Sequence, residues 1–175
     1  MDYPPINKIQ TITWTPRWSV DPVIGGSNFL NYWSDFLNLI ENKKFRFIFR
    51  PHPLMFDEMI KKGFIDEEFK NNFLHKLEQH NVLFDIDSPI EEIFKKTDLL
   101  ITDFSTIISQ FFMTNRPIIY CTAGIPLNKD YLEMMRFSYT ANNWQEVLTH
   151  IQNIDGKGDA YSKNRINYIK ENLQK

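Results

Sequence analysis

The sequence has one cysteine, Cys121, among its 175 residues, which excludes an internal disulfide and favours a reducing compartment. No apolar run approaches the roughly 18 residues that a membrane-spanning helix requires, and the first residues are neither basic nor apolar, so we expect no signal peptide. Lys and Arg number 20 against 22 Asp and Glu, a net charge of −2, whereas a nucleic-acid-binding domain is usually basic. These absences predict a cytoplasmic protein that binds no nucleic acid.

Motifs that bind nucleotides through glycine-rich loops are missing as well. The chain has only six glycines, no G-x-G-x-x-G after a predicted strand and no G-x-x-x-x-G-K-[ST], which removes the main support for dinucleotide-binding and P-loop interpretations. No group of His and Cys has zinc-ligand spacing, because His75 and His80 lie on different faces of a predicted helix. Cys121 ends a predicted strand without an obvious base nearby, which is typical of a core residue. We expect neither a metal nor a cofactor.

What the sequence does contain is an alternation of short apolar runs with longer segments of helical periodicity. Strands separated by helices of about ten residues or more predict a parallel sheet with right-handed crossovers, covered on both faces. The pattern therefore predicts an α/β fold, a Rossmann-like, doubly wound parallel sheet of about five strands, formed by residues 1–175 as a single domain. Residues 1–7 are expected to be a flexible lead-in and residues 142–175 to form closing helices. The predicted strands lie within 8–16, 44–53, 81–87, 98–102 and 116–122.

A group of polar residues interrupts the apolar segment 99–112, LLITDFSTIISQFF, where a predicted strand passes into a predicted helix. Ligands of open α/β sheets bind outside the carboxyl ends of the strands, and the free N–H groups of a helix N-terminus suit phosphate. Ser105 and Thr106 add hydroxyl donors at the same place. A plain helix cap by Asp103 or Ser105 is the alternative. Because a cap requires one polar side chain and the segment supplies four, the pattern predicts an anion-binding turn.

Two more polar stretches follow predicted strands. In "FRPHP", residues 49–53, the prolines stiffen the turn; Arg50 is suited to pair with a phosphate, and His52 to bind phosphate or act as an acid or base. In "TWTPRW", residues 13–18, Arg17 is a further candidate anion contact. Trp14 and Trp18 are candidates for stacking on a base or for packing. Since parallel strands end at one edge of a sheet, we expect these stretches to share an anionic ligand.

The segments "TWTPRW", "FRPHP", "DIDSPIEEIFKKTDLLITDFST" and "NRPIIYC", in this order, resemble the carboxyl-terminal half of the CDP-glycerol glycerophosphotransferases, the teichoic-acid polymerase family. The resemblance covers residues 8 to about 154, and its specific part is 87–121. It implies one half of a GT-B architecture that binds the nucleotide of an activated donor. The family transfers glycerol phosphate from CDP-glycerol to a hydroxyl of a growing polymer and releases CMP, in teichoic-acid or capsule synthesis.

The resemblance and the residue types together give a set of expected site residues. His52 is the expected catalytic residue, and Asp103 is expected to shape the loop. Ser88, Glu91 and Glu92 are the expected nucleoside contacts. The expected donor diphosphate contacts are Arg17, Arg50, His52, Asp103, Ser105 and Thr106.

Some positions depart from the family pattern. Arg17 precedes Trp18 instead of following it, and Gln110 stands where the family often has an acidic residue. These departures leave open which alcohol or sugar the donor carries. A second reading is therefore the donor half of a GT-B sugar-nucleotide glycosyltransferase, with Glu91 or Glu92 on the ribose. A third is a noncatalytic α/β interaction module.

The length of the chain accommodates only one of the two Rossmann-like domains of a GT-B enzyme. The expected partners are therefore a CDP-linked polyol donor, a polymer acceptor, and a missing acceptor-binding domain or subunit. Alone, the chain is expected to bind nucleotide weakly and to be inactive as an enzyme. Through the missing partner, it is expected to sit peripherally at the inner face of the membrane.

Overall fold

A computed structural model describes residues 8–21 and 25–173, so the predicted lead-in 1–7 lies outside the described residues. All strands are parallel and form one sheet, which confirms the predicted fold class. The five predicted strands are present, but the sheet has six. The sixth was missed because its three residues are too few to show an alternating pattern. The strands are β1 Thr11–Thr15, β2 Arg46–Phe49, β3 Leu83–Phe84, β4 Leu99–Thr102, β5 Ile118–Cys121 and β6 Tyr139–Ala141.

Helices connect the strands, as the periodicity predicts, and the segment around Gly63 separates the helix Met55–Lys61 from the helix Glu67–Gln79. The sequence did not indicate α6, whose N-cap Asn128 accepts a hydrogen bond from the Tyr131 N–H. A π-helical turn, Ile169–Leu173, continues the last helix. The helices are α1 Phe29–Glu41, α2 Met55–Lys61, α3 Glu67–Gln79, α4 Ile90–Lys96, α5 Ile107–Phe112, α6 Lys129–Met135, α7 Trp144–Lys157 and α8 Ser162–Tyr168.

Both faces of the sheet are covered, which is why β4 and β5 are buried along their whole length. On one face, Trp14 packs against Phe36 and Phe49, with ring centroids 4.7 and 5.4 Å apart. On the other face, Leu100 and Ile118 join the core formed by α4 and α5. The side chains of the strands therefore pack into two hydrophobic cores, one on each face of the sheet. Cys121 is fully buried and free, which confirms its interpretation as a core residue.

The strand order, β3-β2-β1-β4-β5-β6, reverses direction between β1 and β4. This point is the ligand-binding crevice of doubly wound sheets, because the connections diverge there to opposite faces. In the register of the sheet, Trp14 is opposite Phe49 and Thr15 is opposite Thr102. The loops that follow β1, β2 and β4 therefore begin at the same level, and the three polar stretches meet at one edge.

Among the residues that the structure describes, none of the helices combines the length and the apolar character needed to span a bilayer.

Candidate functional site

A cavity of about 400 Å³ opens at the carboxyl edge, where the order of the strands reverses. The loops after β1, β2 and β4 form its walls. Of the predicted site residues, five line the cavity: Arg17, Arg50, His52, Ser105 and Thr106. The structure thus brings together polar side chains from three separate stretches of sequence.

Asp103 lies beneath this cavity and is fully buried. Its Oδ2 accepts hydrogen bonds from the backbone N–H of Arg17 at 2.9 Å and of Asn28 at 3.1 Å. Its Oδ1 accepts from the side-chain amide of Asn28 at 2.8 Å. Asp103 was expected both to contact the diphosphate and to shape the loop, but its carboxylate is enclosed and does not line the cavity. Its hydrogen bonds join the loops around the cavity instead.

The surroundings of Asp103 also change its acidity. Burial removes water from the carboxylate and raises the pKa of Asp103 from 3.8 to about 6, against the opposing effect of the hydrogen bonds from Arg17 and Asn28. Asn28 was not among the expected site residues. It occupies the N-cap position of α1, but its side chain donates to Asp103 and to the carbonyl of Thr122 instead.

Arg17 is held in the cavity wall by two contacts. Its Nη1 donates to the backbone carbonyl of Phe104 at 3.0 Å, and its guanidinium carbon lies 5.5 Å from the centroid of the Phe104 ring. Its Nε is buried and has no hydrogen-bond partner among the described residues. A buried N–H without a partner costs about 1–3 kcal/mol, so an anion at this point would be stabilised by it.

His52 has a defined neutral tautomer. The backbone N–H of Leu54 donates to Nδ1 at 3.2 Å, so the neutral ring carries its proton on Nε2. Partial burial, and then the charge of Arg17, lower the pKa of His52 below its usual value of 6.5. The imidazole of His52 is therefore neutral at pH 7 and offers Nε2–H as a hydrogen-bond donor.

Ser105 and Thr106 stand at the start of α5, which begins at Ile107. The Ser105 hydroxyl oxygen accepts a hydrogen bond from the backbone N–H of Ile107 at 3.2 Å, but the N-cap residue of α5 is Thr106, so Ser105 does not cap the helix as the alternative expected. Its hydroxyl hydrogen remains available for a ligand. The side chain of Thr106 is exposed and makes no cap hydrogen bond. Two hydroxyl donors thus face the same cavity as Arg17 and His52.

Arg50 lies in the cavity wall, but its guanidinium is already engaged. It forms an ion pair with Asp85, and its Nη2 donates to the backbone carbonyl of Ser88 at 2.8 Å. The hydroxyl of Ser88 in turn donates to Asp85 at 2.5 Å. Arg50 therefore joins the end of β2 to the segment before α4, and Asp85 already pairs with the charge that was predicted to bind phosphate.

The expected nucleoside contacts are not brought to the cavity. Ser88 precedes Pro89, the N-cap of α4, and its hydroxyl is bound to Asp85. Glu91 and Glu92 are exposed in the first turn of α4 and do not line the cavity. The lining residue from this helix is Ile90.

Within residues 8–21 and 25–173, no three or more His, Cys, Asp or Glu side chains are grouped so as to hold a metal ion.

Residues 5–173 match the family model described as CDP-Glycerol:Poly(glycerophosphate) glycerophosphotransferase. The chain belongs to this family. The match spans nearly the whole sequence, and the resemblance drawn from the four quoted segments is confirmed. A search of curated protein sequences found no significant match.

Solved structures share the fold at low sequence identity. A UDP-GlcNAc 2-epimerase from Neisseria meningitidis bound to UDP-GlcNAc has a TM-score of 0.60 at 12% identity, covering 91% of this chain and 39% of the epimerase. The wall teichoic acid polymerase TagF has a TM-score of 0.56 at 14% identity, covering 95% of this chain and 40% of TagF. S. aureus MnaA with UDP has a TM-score of 0.54 at 12% identity, covering 93% of this chain and 46% of MnaA. This glycerophosphotransferase-family chain thus spans less than half the length of each.

Proposed function

We propose that this chain is the donor-nucleotide-binding part of a transferase that moves glycerol phosphate, or a similar polyol phosphate, from a CDP-linked donor to a polymer hydroxyl. One observation carries the proposal: Arg17, His52, Ser105 and Thr106 converge on a single cavity at the strand-order reversal. Membership of the glycerophosphotransferase family supports the reaction class. A TagF variant structure soaked with CDPG supports the donor class.

In this proposal, the diphosphate of the donor lies against Arg17, with Nε and the guanidinium neutralising its charge. The hydroxyls of Ser105 and Thr106 donate to the phosphate oxygens. The nucleoside extends along the apolar wall made by Pro51 and Ile90. Burial of the donor in a partly dry cavity strengthens each of these charge-assisted hydrogen bonds.

The chemical step is an in-line displacement at phosphorus. The acceptor hydroxyl oxygen forms a bond to the phosphorus of the glycerol phosphate group, and the bond from that phosphorus to the bridging oxygen breaks. The bridging oxygen leaves with CMP, and its developing negative charge is stabilised by the Nε2–H of His52 and by Arg17. His52 acts here as a donor, since Nδ1 is occupied by the Leu54 N–H. The base that receives the acceptor proton belongs to a partner.

That partner is the second part of the proposal. This chain covers 40% of TagF, and we propose that an acceptor-binding domain or subunit closes over the cavity. Without it, the chain binds donor but transfers little. The single buried, reduced cysteine supports a cytoplasmic location, where the partner would hold this chain at the membrane surface.

A calorimetric titration with CDP-glycerol, CDP and UDP tests the proposal. We expect binding of CDP-glycerol, weakened about tenfold or more in Ser105→Ala and His52→Ala, because each removes a hydrogen bond to a charged group. A chain that binds none of the three nucleotides contradicts the proposal and supports a noncatalytic module.

A sugar-nucleotide enzyme is the second candidate function. The epimerase bound to UDP-GlcNAc and MnaA with UDP share this fold and support it. In the same titration, tighter binding of UDP than of CDP would favour a UDP-linked sugar as the donor. Family membership favours the polyol phosphate transferase.

A further inference from the structure

A second cavity, of about 420 Å³, opens at the opposite edge of the sheet. The first residues of β1, β2 and β3 form its walls together with the end of α4. At about 3.3 Å per residue along a strand, this amino edge lies about 15 Å from the carboxyl edge. The two cavities are therefore separate sites.

The lining of this second cavity is strongly cationic. It contains Arg46, Lys95 and Lys96 but only one carboxylate, Asp98. Oδ2 of Asp98 accepts hydrogen bonds at 2.9 Å from two backbone N–H groups, those of residues 10–11. The carboxylate of Asp98 is thus bound by backbone N–H groups and not by the cationic side chains. The net charge of the cavity lining is positive, although the net charge of the whole chain is −2.

The three cationic side chains are exposed, and none of them forms an ion pair within the described parts of the chain. Lysines at the end of α4 are favoured by its dipole, but this effect does not account for Arg46 on β2. Nη2 of Arg46 donates to the side-chain oxygen of Gln10 at 3.1 Å, which orients the guanidinium on the cavity wall. Clustered unpaired cations repel one another, and a polyanion relieves that repulsion.

The neutral residues of the cavity narrow the class of polyanion. Gln10 and Asn81 contribute amide groups, which hydrogen-bond hydroxyls. The aromatic residue in the lining, Phe47, is buried, so the cavity has no exposed ring on which a nucleic-acid base could stack. The cationic side chains suit phosphodiester groups, and the neighbouring amides suit hydroxyl groups. A polymer in which phosphodiesters alternate with hydroxyl-bearing carbons offers both.

From these observations we infer that the cavity at the amino edge binds the phosphodiester backbone of the poly(polyol phosphate), away from the donor site. The identity of the polymer rests on the proposed function, but the cationic cavity itself does not. Such a site holds a growing chain on the enzyme while its end reaches the donor cavity.

The test compares two matched double variants. Lys95→Ala with Lys96→Ala removes two adjacent lysines at the end of α4. Lys61→Ala with Lys62→Ala removes two exposed, adjacent lysines at the end of α2, with the same change in net charge. Each protein is titrated at low salt with a poly(glycerol phosphate) oligomer and, separately, with CDP-glycerol. We expect the α4 pair to bind the oligomer about fivefold or more weakly, the α2 pair to bind it as the wild type does, and CDP-glycerol affinity to be the same in both.

Equal weakening in both pairs, or no oligomer binding by the wild type, overturns the inference. So does equally tight binding, sensitive to the α4 pair, of single-stranded DNA with the same number of phosphates or of phosphatidylglycerol vesicles. If the oligomer binds and depends on Lys95 and Lys96 but CDP-glycerol does not bind, the cationic site stands and the donor-site proposal fails.

Discussion

The carboxylate of Asp103 lies 2.9 Å from the backbone nitrogen of Arg17, although 86 residues separate them in the sequence. Through this hydrogen bond, a buried acid sets the position of the loop that carries Arg17 into the cavity at the carboxyl edge. The Asn28 amide completes the arrangement from a third segment. The geometry of the cavity therefore depends on a residue that is itself shielded from any ligand.

The first prediction concerns Asp103→Asn. An amide keeps one acceptor oxygen but presents an NH₂ group to N–H donors, so we expect a loss of about 1–3 kcal/mol in the free energy of unfolding. CDP-glycerol affinity should fall as well, because the Arg17 loop loses its anchor. Urea unfolding and calorimetry measure the two effects. The control is Asp35→Asn. Asp35 is a half-buried residue of α1 whose carboxylate makes no hydrogen bond among the described residues, so this substitution should change neither the free energy of unfolding nor the CDP-glycerol affinity.

The second prediction is a pH dependence. Since the pKa of Asp103 is raised from 3.8 to about 6, the folded state binds this proton more tightly than the unfolded chain does. The stabilisation is fully present below pH 3.8 and is lost as the pH rises through about 6. The difference in unfolding free energy between wild type and Asp103→Asn should therefore be larger at pH 4.5 than at pH 7.5. A difference that is constant across this range contradicts the raised pKa.

The third prediction tests the tautomer of His52. The amide nitrogen of glutamine reaches about as far from the backbone as Nε2, whereas that of asparagine lies nearer the position of Nδ1. If Nε2–H is the group that binds the donor, His52→Gln should retain most of the CDP-glycerol affinity, while His52→Asn and His52→Ala lose about tenfold. Equal losses in all three, measured by calorimetry, would show that another property of the imidazole matters.

The fourth prediction concerns the loop before α1. Gly25 has a φ of +91°, and a Cβ placed there would lie 1.8 Å from Cγ1 of Ile125. Gly25→Ala should therefore cost at least about 1–3 kcal/mol from backbone strain, with the steric clash in addition. The neighbouring Gly26, whose added Cβ meets nothing within 4 Å, is the matched control. Thermal unfolding of both variants measures the effect, and equal destabilisation would contradict the close approach of the two loops.

The fifth prediction compares two ion pairs. Arg165 and Asp159 are 2.8 Å apart and nearly inaccessible, with side-chain exposures of 0% and 6%. Arg165→Met leaves the buried carboxylate of Asp159 without its cationic partner, and the free energy of unfolding should fall by about 3–5 kcal/mol. Arg136 and Glu133 are 3.0 Å apart but exposed, so Arg136→Met should cost less than about 1 kcal/mol. Denaturant unfolding distinguishes the two, and similar losses would contradict the difference in burial.

Local pattern was sufficient for most of the fold. Alternating strands and helices, and the prolines and glycines between them, gave the parallel α/β class and five of the six strands. The short strand β6 and the seven-residue α6 carried too little periodicity to be recognised. Ser88 shows a different limit: it was expected to contact the nucleoside, but its hydroxyl donates to Asp85, a carboxylate three residues earlier in the chain.

The sequence by itself determined that Arg17, His52, Ser105 and Thr106 follow strands, since these positions depend on neighbouring residues. The tertiary structure decided which of the polar residues meet. Strand order and register bring Asn28 to Asp103 across 75 residues and Arg50 to Asp85 across 35, and they gather Arg46 with Lys95 and Lys96 at the amino edge. Hydrogen bonds and ion pairs between distant segments depend on the packing of the whole sheet, which no local propensity encodes.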